Sequence, residues 1–140
     1  MKQIPVIFWT GTGNTQMMAD AVAEAINAAG AEAVVKNISE ITADEAAGYD
    51  ALALGCPAMG AEVLEEFEFE PFFTELEGKL AEKKVALFGS YGWGGSYMQD
   101  WEARVKDAGA TLVADGVLAL GAPDDEAMAK LTEAGKLLAE

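Results

Sequence analysis

Six consecutive residues, Thr10-Gly11-Thr12-Gly13-Asn14-Thr15, combine three hydroxyls, one amide and two glycines. Before them runs Val6-Ile7-Phe8-Trp9, apolar and rich in β-branched and aromatic residues, the pattern of a buried strand. After them Met18, Ala21, Val22, Ala25, Ile26 and Ala29 recur at helical spacing until Gly30. A strand, a hydroxyl-rich loop and a helix in that order gather N–H and O–H donors at the positive end of a helix dipole. That is a seat for a phosphate. A nucleotide-hydrolysing P-loop would need a lysine at the end of the loop, and none lies between Lys2 and Lys36. A dinucleotide fingerprint would need a third glycine where Gln16 stands. The alternative is a polar turn in which Asn14 or Thr12 merely caps the helix.

Two further loops carry candidate chemistry. Gly55-Cys56-Pro57-Ala58-Met59-Gly60-Ala61-Glu62 holds the only cysteine. A phosphatase-type loop would place an arginine about six residues beyond that cysteine, where Glu62 stands, so Cys56 reads as a buried structural thiol. Met59 either packs in the core or lies against an aromatic ring. In Ser90-Tyr91-Gly92-Trp93-Gly94-Gly95-Ser96, two large aromatics stand among glycines. They either pack back on the core or offer flat faces to a flat ligand, and Trp93 between Gly92 and Gly94 favours stacking.

Composition excludes several classes. With no histidine and one cysteine, neither a Cys-only metal site nor an internal disulfide is available, and the commonest general base is missing. Twenty-four acids against nine bases leave a net charge of −15, which disfavours nucleic acid and anionic membrane as partners. No apolar run is long enough to span a bilayer and no signal peptide is evident, so a cytoplasmic protein is expected. Eight acids (Glu62, Glu65, Glu66, Glu68, Glu70, Glu75, Glu77 and Glu82) crowd one stretch in which Lys79 is the only base. They form either a solvated face or a docking surface for a basic partner.

The elements that must position these loops alternate. Strands are expected at Val6–Trp9, Ala33–Asn37, Tyr49–Leu54, Val85–Phe88 and Thr111–Leu120, the last interrupted near Asp115-Gly116. Helices are expected at 14–29, weakly at 44–47, at 71–79, at 98–108 and from Asp124 to Leu138. Apolar strands alternating with helices predict an α/β fold, a doubly wound five-stranded parallel sheet of order 2-1-3-4-5 in one domain, 1–140. Ligands of such sheets bind beyond the carboxyl ends of the strands where strand order reverses, so the three loops should converge.

On these residues the chain resembles the flavodoxins, particularly the short-chain type of anaerobic bacteria. The resemblance is carried by Trp9-Thr10-Gly11-Thr12-Gly13-Asn14-Thr15, Gly55-Cys56-x-Ala58-Met59-Gly60, Glu68-x-Glu70-Pro71-Phe72 and Lys83 through Gly94, in order and over nearly the whole length. It implies a flavodoxin-like fold and non-covalent FMN. Its phosphate would be held by Thr10, Thr12, Gly13, Asn14 and Thr15 with Ser90, and Gly11 belongs to the same loop. Met59 would cover the inner face of the ring and Trp93 the outer. Glu62 would accept from N3–H, and the Met59–Gly60 peptide would turn over on reduction. Pro57, Ala58, Tyr91, Gly92, Gly94 and Gly121 complete the implied cofactor-binding set.

The family function is low-potential one-electron transfer, here between semiquinone and hydroquinone, without substrate turnover and without a metal. Implied partners are redox enzymes with basic patches, docked transiently to a monomer. An FMN-dependent quinone reductase is the alternative. A receiver-type signalling domain lacks its phosphoacceptor aspartate, because Gly55-Cys56 end the third strand. Departures from the family pattern are Pro57, Ala61 and Leu120-Gly121-Ala122.

Overall fold

The computed structural model describes residues 2–10, 13–58, 64–65, 67–91 and 96–140. Strands β1 (Gln3–Phe8), β2 (Glu32–Asn37), β3 (Ala51–Gly55), β4 (Lys84–Tyr91), β5 (Thr111–Leu112) and β6 (Val117–Leu120) alternate with helices α1 (Asn14–Ala28), α2 (Ala43–Ala47), α3 (Phe69–Glu77), α4 (Ser96–Asp107) and α5 (Asp125–Ala139). All pairings are parallel, in the order β2-β1-β3-β4-β5, with β6 also on β4. The expected order 2-1-3-4-5 is therefore observed, with the fifth strand in two pieces.

Side-chain alternation along each strand divides the interior into two layers. Ile4, Val6, Phe8, Ala51, Ala53, Ala86 and Phe88 face α1 and α5. Ile7, Leu52, Leu54, Val85 and Leu87 face the opposite way, toward α2, α3 and α4. The first face is alanine-rich in its centre and lets helices approach closely. The second is filled by bulk, notably Trp101, which meets Phe69 and Phe73 edge-on at centroid distances of 5.4 and 5.9 Å. Pro5 lies one residue before the β1–β3 ladder opens at Val6↔Ala53, so its missing N–H falls where β1 pairs only with β2.

Two helices start earlier than their apolar patterns suggest. α4 begins at Ser96 rather than Met98, and α3 begins at Phe69, two residues before Pro71. Pro71 is then the third residue of α3, where an N–H has no partner inside the helix in any case. The fifth strand is broken between Leu112 and Val117, and in the break Gly116 N–H donates to Glu102 Oε2 of α4 at 2.7 Å.

Candidate functional site

The carboxyl ends of β1, β3 and β4 lie side by side, about 4.8 Å apart per strand. Trp9 N–H donates to Gly55 O at 3.0 Å and ties the ends of β1 and β3 together. Beyond them Thr10 Oγ1 accepts from Gly13 N–H at 2.9 Å and closes the turn into α1. Gly13 holds the cap position with φ +93°, a left-handed conformation that a side chain would strain. Gly13 brings no side chain to cap α1, so among the described residues the alternative of a capping Asn14 is not met. Thr15 is buried and Asn14 half-buried at this helix start. Backbone N–H groups without a side-chain cap, beside a buried hydroxyl, can receive an anion at the positive end of the dipole. Gly11 and Thr12 lie outside the described residues.

The chain leaving β3 stays beside β4. Cys56 N–H donates to Phe88 O at 3.1 Å and Ala58 N–H to Ser90 O at 3.0 Å, with Pro57 and Ala58 half-buried. Cys56 is fully buried; its O accepts from Tyr97 Oη at 2.8 Å and its Sγ from Glu65 N–H at 3.4 Å. Burial pushes the thiol well above its ordinary range, as the structural reading requires. A Cβ on Gly89 would stand 2.1 Å from Tyr97 Oη and 2.2 Å from Cys56 O. Only glycine lets this strand end, the β3 exit and α4 close on one another. Met59, Gly60 and Glu62 lie outside the described residues, but the chain returns at Leu64 and Glu65, both buried.

At the end of β4, Ser90 Oγ donates to Gly121 O at 2.8 Å and Gly121 N–H donates to Tyr91 O at 3.1 Å. These bonds join the β4 and β6 exits, bringing Ser90, Tyr91 and Gly121 to the same edge as Ala58. Gly92, Trp93 and Gly94 lie outside the described residues. Of the seventeen expected site residues, the described ones thus sit at the exits of β1, β3, β4 and β6.

The acidic stretch proves less uniform than its composition. Glu65 is only 5% exposed. Its carboxylate accepts from Phe67 N–H at 2.8 Å, Glu68 N–H at 2.7 Å and Phe69 N–H at 2.9 Å. Burial opposes that charge, yet the bonds from Phe69, Phe67 and Glu68 outweigh it and hold the carboxyl below its ordinary range. This is why α3 starts at Phe69. Glu70 and Glu77 grip Arg104 of α4, Glu70 through two bonds of 2.7 and 2.9 Å and Glu77 through two of 3.1 Å. The guanidinium also lies 4.7 Å over the Phe73 ring. The Arg104 bonds lower the Glu70 carboxyl. Among the six described acids of the stretch, three are therefore structural. Glu68, exposed, accepts from Trp9 Nε1 at 3.2 Å and so borders the end of β1.

Sequence reasoning missed Glu65 as a link between loop and helix. An acid three and four residues ahead of two N–H groups at a helix start was the available signal. It also missed the Tyr97–Cys56 bond, whose partners are 41 residues apart.

Comparison with known proteins agrees with this geometry. A model of the flavodoxin family matches residues 6–135. The chain is 46% identical over 135 residues to a flavodoxin of Clostridium beijerinckii, covering 96% of this chain and 97% of that one. It is 46% identical over 116 residues to a flavodoxin of Megasphaera elsdenii, covering 82% and 85%. The solution structure of two-electron reduced Megasphaera elsdenii flavodoxin superposes with a TM-score of 0.89 at 42% identity, over 97% of this chain and 98% of that one. With the sheet order, the open start of α1 and the adjoining strand exits, these matches show that the chain belongs to the flavodoxin family, FMN-binding carriers of single electrons at low potential that turn over no substrate of their own.

Proposed function

We propose that FMN lies across the exits of β1, β3 and β4, and that the chain is one FMN-binding domain over residues 1–140. The observation that carries this placement is the start of α1. It has a left-handed glycine at the cap position, which brings no capping side chain of its own, and a buried threonine hydroxyl beside it. Such a donor set suits a phosphate monoester.

Thr10, Gly11, Thr12, Gly13, Asn14 and Thr15 would hold the phosphate. Ser90 joins them by turning its single hydroxyl hydrogen from Gly121 O to the phosphate. Met59 and Trp93 would flank the ring, with Tyr91 beside them. Glu62 would accept from the ring's N3–H, and Gly60 would let the Met59–Gly60 peptide take either orientation. Pro57, Ala58, Gly92, Gly94 and Gly121 would line the remaining wall. The bond from Ala58 N–H to Ser90 O holds that wall to β4 and supports the arrangement.

When bound, FMN supplies one-electron chemistry. The protein's part is to make the second electron harder to accept than the first. A phosphate held by neutral donors keeps its charge, since no Lys or Arg lies between Lys2 and Lys36. The chain adds a net charge of −15, and apolar walls withhold solvation from a developing anion. Redox titration of the purified holoprotein should resolve two one-electron steps, the second at low potential. A single merged two-electron wave would refute the reading.

Docking of redox enzymes through basic patches, to a monomer working in the cytoplasm, completes the proposal. Rates of reaction with such partners should fall as ionic strength rises, and rates that stay flat would count against it.

A further inference from the structure

Among the described residues five large apolar side chains are exposed: Met17, Val35, Phe67, Leu120 and Met128. Four of them stand at the carboxyl end of the sheet. Met17 and Met128 are in the first turns of α1 and α5, Leu120 is the last residue of β6, and Phe67 is in the turn entering α3. Phe67 is the extreme case at 87% exposed, between Glu66 and Glu68 in sequence.

A single exposed apolar residue usually needs no explanation. Phe67 differs because the backbone beneath it is fixed. Its N–H is held by Glu65 Oε2, the next two N–H groups by Glu65 Oε1, and Glu65 N–H by buried Cys56 Sγ. The turn is anchored to the core through Leu64 and Phe69, both buried, and Phe67 is directed outward between them. The neighbouring Glu68 reaches Trp9 at the end of β1, which places this turn beside the cofactor crevice. An exposed aromatic on a backbone turn fixed to the core, flanked in sequence by carboxylates at the working edge, has the form of an interface anchor.

We propose that Phe67 is the apolar anchor of the docking face. It seats in an apolar socket on a redox protein whose rim carries lysine and arginine, complementary to Glu68 and to the net charge of −15. The inference rests on the electron-carrier reading and on electrostatic docking, and adds a contact that salt does not screen. Carboxylates steer the encounter, while the ring holds the complex long enough for one electron to pass from the reduced cofactor to the partner's acceptor.

Cytochrome c, whose haem edge is apolar and ringed by lysines, is a suitable probe. Photoreduced holoprotein is mixed with ferric cytochrome c in a stopped-flow instrument across a range of ionic strength, with ferricyanide as a small acceptor that needs no socket. Phe67→Ser should slow cytochrome c reduction about fivefold at both low and high salt. Its salt dependence and its ferricyanide rate should match the wild type, and Phe67→Leu should recover most of the loss. Glu68→Gln should lessen the salt dependence instead. A Phe67→Ser rate equal to wild type, with the wild-type rate still falling in salt, overturns the anchor and leaves electrostatic docking intact. Equal slowing toward ferricyanide also overturns it, because the defect then lies at the cofactor. A wild-type rate indifferent to salt removes the docking reading itself.

Discussion

Replacing Glu65 tests whether one buried carboxylate sets the start of α3. In the wild type it accepts three backbone N–H groups at 2.7–2.9 Å while only 5% exposed. A hydrogen bond to a charged group contributes about 1.5–3 kcal/mol, and bonds sharing one acceptor do not add fully. Glu65→Gln keeps the shape and one carbonyl oxygen, but its NH2 group meets a backbone N–H where an acceptor stood. We expect a loss of about 2 kcal/mol. Glu65→Ala strands all three donors and opens a void, for about 4 kcal/mol. At this chain length each kcal/mol lowers the melting temperature by about 3 °C, so drops of about 6 and 12 °C are expected at fixed FMN concentration. The pH dependence separates this from simple loss of packing. The folded carboxyl lies below its ordinary value of 4.5, so its stabilisation is fully present above that pH and is lost as the pH falls through the folded value. Thermal and urea unfolding at pH 7 and at successively lower pH should show the wild-type advantage over Glu65→Gln shrink once the pH passes below 4.5. Variants within about 0.5 kcal/mol of wild type would refute the reasoning, as would an advantage unchanged through the acid range.

Three further expectations follow from single sites. Gly89→Ala forces a methyl against Tyr97 Oη and Cys56 O and should destabilise by about 2 kcal/mol or more in urea unfolding, with weaker FMN retention in a fluorescence titration. Arg104→Met leaves Glu70 and Glu77 facing each other without their cation. The site is about one-third exposed, so a loss of about 1–2 kcal/mol is expected, partly relieved by added salt and only partly rescued by lysine, which cannot match the two-bonded geometry. Cys56, buried and with its thiol pushed up, should resist iodoacetamide at pH 8 in the folded protein and react promptly in denaturant; fast native labelling would contradict its burial.

Much of the molecule was legible in one dimension because local rules sufficed. Continuous apolar runs, as in strands buried on both faces, and period-3.6 helices fall within a few residues of the observed elements, and their alternation specifies parallel crossovers. The loop from Thr10 to Thr15 is readable for the same reason: a strand, a cap position and a helix dipole are consecutive, so their convergence needs no distant partner. Even the interruption of the fifth strand at Asp115-Gly116 carries a turn signal, and β5 and β6 part at that point.

What only the tertiary structure decided involves groups far apart in the chain or short of any periodic mark. Eight neighbouring acids look alike by composition, yet folding buries Glu65 under the start of α3 and ties Glu70 and Glu77 to Arg104, 34 and 27 residues away. Tyr97 is an aromatic in a helix until packing brings its hydroxyl to Cys56 O. Phe67 continues an apolar–acidic alternation with Phe69, but the Glu65 carboxylate turns the backbone so that Phe69 is buried and Phe67 is not. Charge and pattern establish which residues are available. Their use is set by which backbone donors lie within reach of a buried carboxylate, and that is a property of the folded chain alone.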